Sequence, residues 1–269
     1  MPPDHIALLI DDEPLVTDEG EHVEVWRIQT PDADDLVSWA KHVREHYCLD
    51  SEIDGLREGT GLSRSEYLTN LVFPDSTERP GPSVRAGDFT EILISDYLEY
   101  SLGYTVPRIK FAEKAVRNEP VKGVDVIGYM LIDEDGNNPD DRLVTYEVKA
   151  KLTGNAYDDT LQKAIDHSSK DFLRLAETLN FLKRKYKDKG QYEEANKIQR
   201  FQNKTDKSYI YESGAAAVIT SSTYDEAAIV ENTETVNHPN SELLALLVIS
   251  GDDLMVLVHS IYLSAANDA

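Results

Sequence analysis

Apolar residues recur along this chain with two different periods. Short segments that alternate between apolar and polar residues, or that are wholly apolar, predict β-strands at residues 6–10, 23–28, 106–111, 123–132, 143–151, 214–220 and 243–249. Apolar spacings of three and four residues predict helices at residues 36–47, 62–71, 87–102, 160–187 and 253–265. Strands and helices interleaved in this way predict an α/β fold with a mixed central sheet flanked by helices.

A segment rich in proline and polar residues interrupts this pattern at residues 74–82 and predicts a linker. The part before it, residues 1–80, is predicted to form a smaller N-terminal α+β domain that could bind a partner. The part after it, residues 85–269, is predicted to form the main domain. There one helix is followed by three strands, the order that opens a restriction-endonuclease-like core.

Two of these strands carry the residues with the clearest chemical potential. Asp125 interrupts an apolar strand, and Glu147 and Lys149 lie two positions apart on the next one. Because side chains on a strand alternate between faces, Glu147 and Lys149 project from the same side, and pairing of the strands could place Asp125 opposite them. Carboxylates beside an ammonium group are the minimal equipment for metal-assisted phosphodiester hydrolysis.

The residue types suit such a site. Mg²⁺ prefers hard oxygen ligands, which Asp125, Glu147 and the carbonyl of Val148 can supply, and Mn²⁺ is an alternative metal. A bound metal would polarise a phosphate and acidify a water, while Lys149 could orient that water or stabilise developing charge. The alternative reading is a structural ion pair on a solvated sheet face. The apolar surroundings favour the site, since charges on buried strands need partners or metals.

His42 and His46 lie four residues apart on a predicted helix, a spacing that can bind zinc. No glutamate follows the first histidine, however, and the sequence offers no evident third ligand. The favoured interpretation is therefore a solvated helix face rather than a metal site.

The charge balance argues against a solitary nucleic-acid enzyme. Lys and Arg total 27 and Asp and Glu total 50, which gives a formal net charge of −23. Such a polyanion should repel DNA. A basic partner that presents the DNA, a salty host cytoplasm, or a function without nucleic acid would each explain this charge, and we favour the partner.

Positive charge is concentrated near the end of the predicted helix at residues 160–187, where Lys183, Arg184 and Lys185 follow one another. This cluster could be a solvated helix face or a contact for a phosphate backbone, and the sequence favours neither.

The sequence also limits where the protein acts. There is no N-terminal signal pattern, and the longest apolar run, at residues 243–249, is too short to cross a bilayer. Cys48 is the one cysteine, which excludes an intrachain disulfide and a cysteine metal cluster. These features predict a soluble cytoplasmic protein without a membrane partner.

Five segments taken together resemble the HamA family, the small subunit of the Hachiman antiphage defence system. They are Arg-Ala-Gly-Asp-Phe-Thr-Glu-Ile-Leu at 85–93, Gly-Tyr-Thr-Val-Pro-Arg-Ile-Lys at 103–110, Lys-Gly-Val-Asp-Val-Ile-Gly at 122–128, Tyr-Glu-Val-Lys-Ala at 146–150 and Asp-His-Ser-Ser-Lys-Asp-Phe-Leu-Arg at 166–174. The ordered set is more specific than the bare Glu-X-Lys. The resemblance runs from Arg85 to the C-terminus, and the residues before the linker add little to it.

The resemblance implies a PD-(D/E)XK nuclease fold and a stable HamB helicase partner that would control the nuclease. It assigns catalysis to Asp125, Glu147 and Lys149, with Val124 in place of the usual proline. It also matches Glu91 to the helical acid that supplements the metal site in many relatives, although the helix dipole alone would suffice to explain an acid there. Lys151 is a candidate phosphate contact, and Gln162 is a looser match to a supporting polar residue.

The leading hypothesis is therefore a metal-dependent DNA endonuclease, the effector subunit of an antiphage complex with a helicase. The alternative is a non-catalytic adaptor of nuclease fold that binds and restrains the helicase. A third reading is an unrelated acidic protein with a chance Glu-X-Lys. The sequence leaves open the strandedness of the substrate, its sequence specificity and the activating signal.

Overall fold

The central sheet of the protein contains seven strands, as a computed structural model describes them for residues 2–133 and 138–269. The strands are β1 (Leu9–Asp11), β2 (Leu15–Val16), β3 (His22–Ile28), β4 (Val126–Met130), β5 (Arg142–Lys151), β6 (Ile210–Thr220) and β7 (Leu244–Gly251). Their order is β1-β3-β7-β6-β5-β4, and β2 pairs with β3. The four inner strands β3, β7, β6 and β5 run parallel, whereas β1 and β4 are antiparallel to their neighbours.

Helices cover both faces of this sheet. They are α1 (Ala33–Tyr47), α2 (Ile53–Arg57), α3 (Arg64–Tyr67), α4 (Gly81–Asp96), α5 (Thr160–Ser168), α6 (Asp171–Asp188), α7 (Tyr192–Arg200), α8 (Glu226–Asn232) and α9 (Leu254–Asn267). On one face α1, α4 and α9 share the largest core with side chains of β5, β6 and β7, and on the other α5, α6 and α7 pack in two smaller cores. The predicted α/β fold, a mixed sheet flanked by helices, is confirmed.

The N-terminal segment joins this core. β3 is hydrogen bonded to β7 in parallel, and α1 packs on α9. Residues before and after the predicted linker therefore share one sheet and one core, whereas the sequence prediction treated residues 1–80 and 85–269 as separate units. The reason is that an apolar strand pattern reports a buried face but not the sheet to which the strand belongs.

Three predicted elements differ from those observed. Residues 4–8 form a 3₁₀ turn before β1, and residues 106–111 form no regular strand, although Thr105 makes a single bridge to Tyr129. The long helix predicted at residues 160–187 is two helices, α5 and α6. Part of the predicted turn between β4 and β5, residues 134–137, lies outside the described residues.

The break between α5 and α6 has a local cause. The hydroxyl groups of Ser168 and Ser169 donate hydrogen bonds to the carbonyls of Ile165 and Asp166, at 2.9 and 2.6 Å. Serine side chains that bond nearby carbonyls compete with helical hydrogen bonding. The apolar spacing that predicted one helix continues across the break, which explains why the sequence pattern did not reveal it.

No helix within residues 2–133 and 138–269 combines the length and apolar character needed to cross a membrane.

Candidate active site

Asp125 and Glu147 meet where β4 and β5 begin to separate. The two strands are antiparallel with Val126 opposite Tyr146, so Asp125 lies just before the first residue of β4, next to Glu147. The Oδ2 atom of Asp125 accepts a hydrogen bond of 3.0 Å from the backbone N–H of Val148. The carboxylate thus continues the pairing of the two strands, which fixes its position.

Glu147 projects to the face of the sheet that α5 and α6 cover, because its neighbours Tyr146 and Val148 point into the core with α4 and α9. Its Oε1 atom is bound by the ammonium group of Lys149, two residues along the same face. Its Oε2 atom accepts a hydrogen bond of 2.9 Å from Arg174 on α6. The structure thus brings Asp125, Glu147 and Lys149 together.

The Val148 carbonyl also faces this site. In a strand, the N–H and C=O groups of one residue point toward the same neighbour. Since the N–H of Val148 donates to Asp125, its carbonyl points to the same open edge of β5, beyond the start of β4.

Glu91 approaches the site from the opposite face of the sheet, on α4. It forms an ion pair with Lys110, whose ammonium group also donates to the backbone carbonyls of Asp125 at 2.8 Å and Val124 at 3.3 Å. Lys110 therefore lies between Glu91 and Asp125. Glu91 is close to the strand ends, as the resemblance implies, but its carboxylate is bound to a lysine of the chain.

Three further residues extend the site, and the sequence interpretation gave them no role. Asp171, at the start of α6, accepts a hydrogen bond of 2.5 Å from Arg174, which also bonds Glu147. His167, near the end of α5, has its Nδ1 atom 3.3 Å from Oε1 of Glu147. The spacing of Asp171 and Arg174, three residues apart on one helix face, was the available signal, but only the break before α6 directs them at Glu147.

The carboxyl groups of this cluster differ in electrostatic character. Burial, and after it the neighbouring charge of Glu147, raise the pKa of Asp171 to about 7 against the opposing charge of Arg174. Burial likewise raises the pKa of Glu91 to about 8 despite Lys110. Burial and Glu147 raise the pKa of Asp125 above its ordinary value, against the opposing charge of Lys110.

Glu147 is the exception among these acids. Burial alone would raise its pKa, but the hydrogen bond and charge of Lys149, together with the charge of Arg174, outweigh burial and hold the pKa below its ordinary value. Glu147 is therefore the one acid of the four whose ionised form its surroundings favour, whereas burial disfavours the ionised form of the other three.

The donor set suits a hard divalent cation. Asp125, Glu147 and the Val148 carbonyl offer oxygen ligands, which Mg²⁺ and Mn²⁺ prefer. Oδ2 of Asp171 is buried and has no hydrogen-bond partner within the described residues. A buried carboxylate oxygen without a partner is costly, and a nearby cation would lower that cost. The residues therefore fit a metal at this position by their chemistry.

The predicted nucleic-acid contacts lie at different distances from this cluster. Lys151 follows Lys149 on the same face, and its ammonium group lies 3.0 Å from Asp158. Lys183, Arg184 and Lys185 lie nine to eleven residues beyond Arg174 on α6, which is about 14–17 Å along the helix. The cluster at 183–185 is thus set back from Glu147 by two to three helical turns.

The basic side chains of the cluster at 183–185 differ in what they contact. Lys183 bonds Gln202, Lys185 lies 2.6 Å from Glu113, and Arg184 is exposed. Gln162, the looser match, hydrogen bonds Asp166 and both backbone groups of Glu234, and none of these hydrogen bonds is to Glu147.

Comparison with known proteins adds one positive finding. A search of curated proteins gives no significant match. The family model of HamA matches residues 4–265, nearly the whole chain. The match includes the N-terminal segment, which the sequence resemblance had left out, in keeping with the strands that this segment adds to the sheet. The chain therefore belongs to the HamA family, whose members are related to Hachiman antiphage defence.

Proposed function

We propose that this protein is a metal-dependent DNA endonuclease, the effector subunit of a Hachiman defence complex that contains a HamB-type helicase. The observation that carries the proposal is the grouping of Asp125, Glu147 and Lys149 at the open end of two paired strands. An acid at the start of one strand, faced by Glu-X-Lys on the next, is the pattern of the PD-(D/E)XK nucleases that the resemblance implies.

In this proposal Asp125, Glu147 and the Val148 carbonyl hold Mg²⁺ or Mn²⁺, and Glu91 supplements them once Lys110 has moved aside. The bound metal supplies Lewis-acid stabilisation of the phosphate and lowers the pKa of a water molecule. Lys149, whose side chain is about one quarter exposed, orients the attacking water and donates to the phosphate oxygen on which charge builds.

Arg174 has a related role in the proposal. Its side chain is 37% exposed while Glu147, which it bonds, is buried, so its guanidinium lies at the mouth of the cluster. A guanidinium can bind two phosphate oxygens at once. Arg174 would therefore leave Glu147 for the substrate when the metal takes over neutralisation of that carboxylate, and Asp171 would keep the arginine in place.

The acidic surface explains why a partner is part of the proposal. With a net charge of −23, the chain has little attraction for a polyanion. The basic residues near the end of α6 are partly neutralised, since Lys185 and Lys189 both contact Glu113. A helicase with its own basic DNA track would deliver the substrate and dock this acidic subunit, in a heteromeric complex.

Cleavage of plasmid DNA by the purified complex tests the catalytic part. We expect Mg²⁺-dependent nicking that EDTA abolishes, and loss of nicking in Glu147→Gln and Lys149→Met. The matched control is Lys151→Met, which removes the next lysine on the same strand face. It should reduce the affinity for DNA, while the maximal rate of cleavage should remain measurable. Circular dichroism verifies that each variant is folded.

Three results would contradict the proposal or a part of it. Cleavage by Glu147→Gln at the parental rate would exclude this cluster as the active site. A complex that binds the helicase tightly but cleaves no DNA under any metal or nucleotide condition would instead identify the non-catalytic adaptor. A free chain that degrades DNA as fast as the complex would leave the nuclease but remove the partner's control.

A further inference from the structure

Two histidines and an aspartate converge on one point at the end of α4, and a third histidine adjoins them. His5 lies in the 3₁₀ turn before β1, His42 and His46 lie one turn apart on α1, and Asp96 is the last residue of α4. His5, His46 and Asp96 are buried, and His42 is partly buried. The sequence interpretation had placed His42 and His46 on a solvated helix face, because the other two residues are distant in the chain.

The potential ligand atoms of this cluster face one another. The Nε2 atom of His5 lies 2.9 Å from Oδ2 of Asp96, and that of His42 lies 3.0 and 3.1 Å from the two Asp96 oxygens. The Nε2 atoms of His42 and His46 are 3.2 Å apart. One ligand atom from each of His5, His42 and Asp96 lies within 4.8 Å of the other two.

Hydrogen bonds alone satisfy this arrangement poorly. The Nε2 atom of His42 faces two carboxylate oxygens and the nitrogen of His46, but it carries at most one hydrogen. Two imidazole nitrogens that face each other need a shared proton or a cation between them. A single cation bound to His5, His42 and Asp96 would satisfy these atoms together.

The spacing suits zinc. With Zn–N distances of about 2.0–2.1 Å, ligand atoms at the corners of a tetrahedron lie about 3.3 Å apart. The observed separations of 2.9–3.1 Å between the Asp96 oxygens and the two histidine nitrogens are slightly shorter, so a small outward movement would open the space for the ion. Imidazole nitrogen with one carboxylate is a donor set that zinc accepts.

We propose that His5, His42 and Asp96 bind one Zn²⁺ ion, with His46 as the outer partner of His42, and that the ion fastens the N-terminal turn and α1 to the end of α4. This site is separate from the carboxylate cluster around Glu147, and the proposal does not depend on nuclease activity. Its consequence is structural. Because α4 also carries Glu91, the ion would hold the helix that brings this acid to the active site.

Packing holds the ring of His5 in place for coordination. His5 stacks on Trp39 with ring centroids 4.9 Å apart, which fixes its ring, and its Nδ1 atom has no hydrogen-bond partner among the described residues.

Arg108 is the cation that now faces the cluster. Its Nη1 atom lies 2.8 Å from Oδ1 of Asp96 and 3.3 Å from Nε2 of His46, while its Nε and Nη2 atoms bond Glu99. Zinc would displace only the Nη1 contacts, and Glu99 would hold the guanidinium at the rim. Arg108→Gln should therefore strengthen zinc binding, since it removes a competing positive charge.

Zinc binding by the tag-free, full-length chain tests the proposal. Protein dialysed into metal-free buffer is titrated with ZnSO₄ against a chromogenic chelator, and the metal content is measured by mass spectrometry. We expect about one Zn²⁺ per chain and a rise in melting temperature on zinc addition. His42→Gln and His46→Gln should weaken binding by at least about 10-fold, the loss that removal of even an outer partner of a metal ligand produces.

The control separates this site from other histidines. His22→Gln changes an exposed histidine of β3 outside the cluster and should bind zinc like the parent. A folded parent that binds no zinc overturns the proposal, as does equal binding by His22→Gln, His42→Gln and His46→Gln. If the histidine variants misfold, Co²⁺ is added to the parent protein in place of zinc. A four-coordinate Co²⁺ site absorbs visible light strongly, so the absence of this absorption refutes the assignment.

Discussion

Replacement of Asp171 by Asn probes the electrostatics of the candidate active site most directly. Asp171 is fully buried, one of its oxygens has no hydrogen-bond partner within the described residues, and its pKa is raised from 3.8 to about 7. Asn has the same shape and keeps an oxygen that can accept from Arg174. The substitution therefore removes the charge with little change in packing.

The sign of the effect follows from linkage. A carboxyl group whose pKa is higher in the folded than in the unfolded state stabilises the fold while it is protonated, and stability falls as pH rises from about 4 to about 7. At pH 8 the ionised Asp171 lowers the free energy of unfolding by at most about 4 kcal/mol, at 1.36 kcal/mol for each of about 3 pKa units.

Two effects reduce this limit. Asp171 is in the first turn of α6, where the helix dipole favours a negative charge by about 0.3–1 kcal/mol. Arg174 is partly exposed, so water screens the cluster. We therefore expect Asp171→Asn to raise the free energy of unfolding by about 1–3 kcal/mol at pH 8, the range for an unpaired buried polar group. Near pH 4 the gain should vanish.

Urea unfolding of the parent and of Asp171→Asn at several pH values between 4 and 8, without metal, measures this difference. The matched control is Asp166→Asn, which removes an exposed acid of α5 and should change stability by less than about 0.5 kcal/mol. A gain that does not depend on pH, or a loss of stability at pH 8, would refute the account of Asp171 as a buried and poorly compensated acid.

Three further predictions follow from other contacts. Mg²⁺ or Mn²⁺ should bind more weakly as pH falls from about 8.5 to 6, because burial raises the pKa of Glu91 to about 8 and protons then compete with the metal. Calorimetry in buffers of different ionisation enthalpy measures the affinity and the protons released on binding. Equal affinity at both pH values would contradict the prediction. Arg200→Met should cost about 3–5 kcal/mol in urea unfolding, because it leaves Asp141, which is fully buried and 2.9 Å from the guanidinium, without its partner; a cost below 1 kcal/mol would refute a role for this pair. Gly214→Ala should lower the melting temperature, because the added carbon would lie 2.4 Å from the ring of Tyr146 in the adjacent strand; an unchanged melting temperature would show that the ring moves aside freely.

Local patterns predicted most of the individual elements. Ser63 caps α3 with Glu66 in a reciprocal pair of hydrogen bonds, an arrangement typical of Ser-X-X-Glu, and Gly103 has a positive φ of 78°, which is common for a glycine after a helix. The alternation of β5 put Glu147 and Lys149 on one face, and the antiparallel pairing of β4 brought Asp125 beside them. These features depend on neighbours within a few residues or on one hairpin.

The sequence by itself thus determined most of the strands and helices and the core of the candidate active site, because each is set by short-range periodicity. Tertiary structure alone decided what surrounds them. Arg174 of α6 reaches Glu147 of β5, the pairing of β3 with β7 draws the N-terminal segment into the sheet, and His42 of α1 meets His5 and Asp96. Such contacts join residues far apart in the chain, and no local spacing encodes them.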